Sequence, residues 1–253
     1  MLYRILLLAA LSLSACEQSK KESVAWGQIV RDSVPPEPRE FPGEIRPDIG
    51  RGCAASLRVS TSDGSSFATW WQVRPDSSGV LLVSRSMHGG PWEAPVIADS
   101  TDLSRRGCGR PAPSIVADAR SGYVHVAYFV EQKNGAGVFF AHSMDSAATF
   151  HWPVPIVFGN NPSRVSIDAE GDRVIVAFED PNSNQPFVGI SLSATMGHLF
   201  EYRTQASSPN GRARQPVVRL DGDSIRLWWS EYSANPAISA TRPTYRTGYI
   251  QSR

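Results

Sequence analysis

Cysteine and lysine are both scarce in this chain, and long hydrophobic runs are missing after its first residues. Cys16, Cys53 and Cys108 are the only cysteines, too few ligands for a closed zinc site. The five histidines, at 88, 125, 142, 151 and 198, lie scattered over turns and strands without metal spacing, and each reads as structural or exposed. No phosphate-binding loop and no Ser-His-Asp arrangement stands out, so no metal or other cofactor is expected. Lys20, Lys21 and Lys133 are the only lysines against a total of 25 Lys and Arg. Composition alone accounts for that arginine excess; a role in gripping carboxylates needs particular arginines to converge. A formal net charge of +1 gives no global field to draw in nucleic acid.

What is present begins with MLYRILLLAALSLSAC, a basic Arg4 and an apolar run over residues 5–11 followed by small residues. This reads as a secretory signal over 1–15, too short to span a bilayer. The segment Leu13-Ser14-Ala15-Cys16 resembles the lipobox of bacterial lipoproteins, which implies an acylated Cys16 as the first mature residue and a membrane partner through the lipid. Loss of Arg4 brings the net charge of +1 to zero. Glu17 stands where an Asp commonly signals inner-membrane retention, so the expected location is the cell envelope at the outer membrane. An exported chain sits in an oxidising compartment, which favours a Cys53–Cys108 disulfide over metal binding, two buried free thiols being the alternative.

From residue 16 to about 50 the chain is polar and Pro-rich, and is expected to be a tether from the anchor, although VAWGQIV at 24–30 has the composition of a strand. The folded body is expected over 51–253. Helical periodicity is nearly absent there. Short runs rich in Val, Ile, Tyr, Phe and Trp alternate with Gly, Pro, Asn and Asp clusters, the pattern of an all-β domain.

Repeats organise that domain. SIVADARSGYVHVAYFVE (114–131) aligns with RVSIDAEGDRVIVAFED (164–180), Asp118 against Asp168 and Tyr128 against Phe178, and VVRLDGDSIRLWWSE (217–231) repeats the pattern, with a weaker copy at 56–73. After each pair of strands comes a third, then a polar turn closed by an aromatic: HSMDSAATF at 142–150, flanked by turns around Ser86 and Trp92 and around Ser193, Gly197 and Phe200. A motif that recurs about every 50 residues is structural rather than catalytic.

The turn resembles the Asp box, S-x-D-x-G-x-T-W/F, of sialidase-like β-propellers. Ser143, Asp145, Thr149 and Phe150 keep the pattern, Ala147 replaces the Gly, and the other two copies are degraded, with His88 or Thr195 where Asp is expected. The resemblance implies an all-β propeller of about four to five four-stranded blades, near 55–98, 113–158, 164–205 and 215–251, with a fifth blade drawing on VAWGQIV as one option. A two-sheet sandwich is the alternative fold.

In a propeller the start of each innermost strand and the end of the next strand meet at one rim. That rim should gather Arg51, Arg110, Arg164 and Arg214 with Glu131, Glu179 and Glu231, a set suited to an acidic glycan or an envelope protein partner; mutual surface ion pairs are the bland alternative. Sialidases, which the turn motif resembles, use an arginine triad, a Tyr–Glu nucleophile pair and an Asp acid/base. Here the F/Y-R-I/L-P signature is missing, and Glu231 and Tyr232 are adjacent and point to opposite faces of a strand. No catalytic residue is assigned. The expectation is a lipid-anchored propeller that binds a ligand or partner and is not a competent sialidase. A glycoside hydrolase or lyase acting on acidic glycans, and an envelope assembly scaffold, are the alternatives.

Overall fold

A computed structural model describes residues 22–34, 46–232 and 241–252. Strand β1 (Glu22–Arg31) comes first in the chain but belongs to the last blade. Blade 1 is β2 (Arg58–Ser62), β3 (Ser65–Val73), β4 (Gly79–Ser86) and β5 (Val96–Asp102). Blade 2 is β6 (Ser114–Ala117), β7 (Val124–Gln132), β8 (Gly135–Ser143) and β9 (Val154–Phe158). Blade 3 is β10 (Val165–Glu170), β11 (Arg173–Glu179), β12 (Val188–Ser193) and β13 (Tyr202–Gln205). Blade 4 is β14 (Arg212–Asp221), β15 (Ser224–Tyr232) and β16 (Thr241–Ser252), with β1 as its outermost strand. All four sheets are antiparallel, those of blades 1 to 3 being simple meanders, and the described residues form four blades.

Pairing of β1 with β16 corrects two expectations. Residues 22–31 are part of the propeller rather than of a tether over 16–50, and VAWGQIV completes blade 4 instead of seeding a fifth. The cause is burial: Val24, Trp26 and Ile29 pack on the cluster that holds Ile225, Leu227, Trp229 and Ile250. Gly248, which pairs with Trp26, is required because a Cβ there would lie 2.7 Å from Val24 Cγ1 and 2.9 Å from the Trp26 ring. An edge strand as long as β16 would otherwise expose a row of unpaired backbone groups.

Period-2 alternation puts each strand's apolar residues between blades. Val124, Val126 and Tyr128 face Phe67, Trp71 and Leu81 of blade 1. Ala127 and Phe129 face Val174, Val176 and Phe178 of blade 3. Along the inner strands a serine of one blade accepts a backbone N–H of the next: Ser60 from Ala117 at 3.0 Å, Ser114 from Ile167 at 3.1 Å and Ser166 from Val218 at 3.0 Å. These bonds satisfy inner-strand N–H groups that a sheet edge leaves open.

The two ends of the propeller differ. One end, the box end, carries the hairpins between first and second strands and the turns between third and fourth. In the middle turn Ser143 Oγ donates to Asp145 (2.7 Å) and accepts from the Ala147 N–H (2.8 Å), while Asp145 accepts from the Thr149 N–H and hydroxyl at 2.9 and 2.7 Å. Ala147 sits at φ +63°, the left-handed conformation for which the motif uses Gly. In the third turn Ser193 Oγ accepts from the Gly197 N–H at 3.0 Å, and Gly197 is needed twice, for φ +87° and because a Cβ would strike the Phe140 ring. Trp92, Phe150 and Phe200 each pack on a core cluster.

Candidate functional site

At the opposite end, the rim, the starts of β6, β10 and β14 meet the ends of β7, β11 and β15. Cys53 and Cys108 form a disulfide there, with Cα atoms 5.2 Å apart, joining the segment that leads into blade 1 to the one that leads into blade 2. Trp71 Nε1 donates to the Pro111 carbonyl at 2.9 Å beside it.

The expected binding residues divide into three groups. Arg110 is no ligand-binding group: its side chain is 2% exposed, its Nε lies 2.6 Å from Asp102 Oδ2, and its other nitrogens donate to the carbonyls of Gly107, Ser77 and Ser104. Burial of that guanidinium demands such saturation, and the result is a clamp between blades 1 and 2. Glu131 and Glu231 are engaged in ion pairs, with Arg106 at 2.6 Å and Arg31 at 3.2 Å. Arg51 is exposed on the segment before β2, forming no ion pair among the described residues.

The third group converges. Glu179, the last residue of β11, is 6% exposed. Its Oε1 accepts the Gln215 N–H at 2.8 Å. Burial pushes its carboxyl above the ordinary value, against the pull of that N–H and of the Arg164 and Arg214 charges. Arg164 and Arg214 are exposed, act on Glu179 electrostatically, and form no ion pair among the described residues. Arg212, two residues before Arg214, is also exposed. Two arginines therefore flank one buried carboxyl at the boundary of blades 3 and 4.

Gln215 was missed by sequence reasoning. It takes φ +59°, within a break in the β14–β15 register between Arg214 and Val217, and nothing in the local sequence except the following Pro216 marks that bulge. The histidines, scattered along the sequence, meet in space. Four of them are gathered at the box end: the His142 ring lies 4.6 Å from those of both His151 and His198 and 6.3 Å from that of His125. Among the described residues no group of three His, Cys, Asp or Glu is arranged to hold a metal ion.

No protein-family model and no curated sequence matches the chain. Solved structures do. It is similar to the Hadza microbial sialidase Hz136 (TM-score 0.51, 17% identity, 69% of this chain and 41% of that one). It is also similar to the α-L-arabinanase of Penicillium chrysogenum complexed with arabinobiose (0.53, 15%, 90% and 71%). A third likeness is to the α-L-arabinofuranosidase Arb93A of Fusarium graminearum in complex with an iminosugar inhibitor (0.51, 14%, 79% and 67%). The chain spans 41% of the sialidase's length. At these identities the likeness is one of fold: the protein is an all-β, sialidase-like propeller of the kind found in glycoside hydrolases.

Proposed function

We propose that this propeller acts on glycans bearing a carboxylate, at the rim where blades 3 and 4 meet. The observation that carries the reading is Glu179, buried and held above its ordinary pKa between the exposed Arg164 and Arg214. Guanidinium forks pair with a sugar carboxylate in bidentate fashion, and a carboxyl that keeps its proton to higher pH than an ordinary Glu is suited to donate that proton to a glycosidic oxygen or a hydroxyl. Perturbed carboxyls of this kind concentrate at functional sites. The glycoside hydrolase folds of the similar structures support a glycan as the ligand class.

Recognition without cleavage is the second reading, and one observation favours it. Glycoside hydrolysis uses a pair of carboxyl groups, whereas Glu131 and Glu231, at the corresponding ends of β7 and β15, are tied to Arg106 and Arg31. Incubation with fluorogenic sialosides, uronides and arabinosides separates the two. Release of fluorophore that Glu179→Gln abolishes supports cleavage; no release, together with binding to acidic oligosaccharides on an array, supports recognition. Failure of both assays removes the glycan reading. We further propose that Cys16 carries a lipid and holds the protein in the cell envelope, on the strength of the lipobox-like Leu13-Ser14-Ala15-Cys16; loss of Cys16→Ser protein from the membrane fraction is the expected result.

A further inference from the structure

Three large apolar side chains stand exposed on the turns of the box end: Met144 (45%), Leu199 (54%) and Trp152 (87%). Nothing in the architecture of the Asp-box turn requires them there. The motif uses Ser143, Asp145 and Thr149 in one turn and Ser193, Thr195 and Gly197 in the other, leaving the side chains at 144 and 199 outside its hydrogen bonds.

The chain enters the propeller at this same end. Glu22, the first residue of β1, is bound by Arg173 Nε at 3.1 Å, and the same guanidinium reaches Asp223 of the β14–β15 hairpin at 2.5 Å. Arg173 opens β11 directly after the β10–β11 turn, and that turn accepts the Met196 N–H, from the third Asp box, at its Asp172 carbonyl at 2.8 Å. The second box follows β8, whose Ser143 pairs with Val124 at the equivalent end of blade 2. Glu22, Met144 and Leu199 therefore share one end of the molecule, with Trp152 on the continuation of the second box.

Residues 17–21 are all that separates Cys16 from β1, and a fully extended chain of that length reaches about 18 Å at most. We propose that the box end lies against the lipid bilayer, with Met144, Leu199 and Trp152 at the lipid interface and the arginine rim turned away from it. The inference rests on the lipid anchor at Cys16 but goes beyond it, since an anchor alone does not orient a domain. Trp favours the headgroup region, where its ring is apolar and its N–H is wet, and Lys20 and Lys21, four and five residues after Cys16 in the sequence, add two positive charges that suit anionic headgroups. Strands of nine residues such as β7 hold the rim about 30 Å from the bilayer, so its ligand comes from outside the lipid surface.

The test uses full-length, lipidated protein in phosphatidylcholine vesicles. Met144→Cys, Leu199→Cys and, as a control in the rim-end turn after β7, Lys133→Cys are each labelled with an environment-sensitive fluorophore, Cys53 and Cys108 being held in their disulfide. Nitroxide-bearing lipids are expected to quench the label at 144 and 199 several-fold more than at 133. Equal quenching at all three positions, or stronger quenching at 133, overturns the orientation. Flotation of the unlabelled protein with vesicles reports the anchor separately. Protein that fails to float removes the anchor and the orientation together, whereas floating protein with uniform quenching removes the orientation alone.

Discussion

Glu179 and Gln215 are joined across the boundary of blades 3 and 4, the Gln215 N–H donating to the Glu179 carboxyl at 2.8 Å. Gln215 holds a left-handed φ of +59° to make that bond, a conformation that costs a residue with a side chain of order 1 kcal/mol or more. Arg214 directly precedes Gln215, Arg164 accepts the Glu179 N–H at its carbonyl at 3.0 Å, and the charges of both arginines act on the carboxyl. A strained backbone, a perturbed carboxyl and two arginines without an ion pair among the described residues thus coincide at one point on the rim.

The perturbed carboxyl sets a pH dependence. Because the folded-state pKa of Glu179 is raised, its neutral form persists to higher pH than in an ordinary Glu, and ionisation puts a negative charge beside any bound carboxylate. Affinity for an acidic sugar is therefore expected to fall as pH rises through that pKa and to recover as pH falls. Glu179→Gln should flatten the profile and tighten binding above that pKa. A series of binding titrations over pH checks this; an unchanged profile in the variant contradicts it.

Arg110 separates structure from binding at the same rim. Asp102→Asn or Arg110→Ala leaves one buried charge without its partner, and a loss of about 3–5 kcal/mol is expected. Ligand affinity of the fraction that remains folded should be unchanged. Chemical denaturation together with a binding titration measures both quantities.

Acid should weaken the box end of blades 2 and 3. His125 and His142 are held to about 3 and about 4, by burial first and then by neighbouring imidazoles, with Asp118 opposing the shift at His125. His151, His198 and Tyr123 complete the group around them. Their folded pKa values are depressed, so the fold favours neutral rings, and the stability they contribute is present above the unfolded value of about 6.5 and lost as pH falls below it. A decline of about 3 kcal/mol between pH 7 and pH 5 is expected, and His125→Phe combined with His142→Phe should shrink it. A series of melting curves against pH gives the comparison.

Much of this was legible in the sequence, for reasons that can be named. The Asp-box turn showed itself because local hydrogen bonding fixes residue types at fixed offsets, as Ser143, Asp145 and Thr149 do. Cys53 and Cys108 could be paired because the lipobox reading sets the third cysteine, Cys16, aside. Register was less visible. Aligning Asp118 with Asp168 is off by two residues, since Val116 pairs with His125 and Asp168 with Ile175 at the matching position of blade 3. The turn over residues 118–123 is longer than the Gly171-Asp172 turn, yet both aspartates accept an N–H from the next blade, Gly171 at 3.2 Å and Leu220 at 2.8 Å. The fates of Arg110 and Arg164 were not legible at all, because both precede an inner strand and only the nearby Asp102 decides which is consumed. The histidine cluster was hidden for a similar reason: it is assembled by strand pairing between His125 and His142 and by contact between two boxes.

Asp145→Ala should lower stability by about 1–3 kcal/mol through unmet groups in its turn, with no effect on ligand affinity, because the box and the rim lie at opposite ends of the blades. Loss of binding at unchanged stability would make the box a functional site and defeat this separation.

The most direct measurement is a calorimetric titration of the folded protein with N-acetylneuraminic acid and with the same sugar after reduction of its carboxylate, repeated on Arg164→Ala with Arg214→Ala. The account predicts that the acid binds and the reduced sugar does not, and that the double variant loses about 10- to 100-fold in affinity, as charge-assisted hydrogen bonds of about 1.5–3 kcal/mol require, while melting at the temperature of the parent protein. Equal affinity of the double variant and the parent for the acid would contradict it.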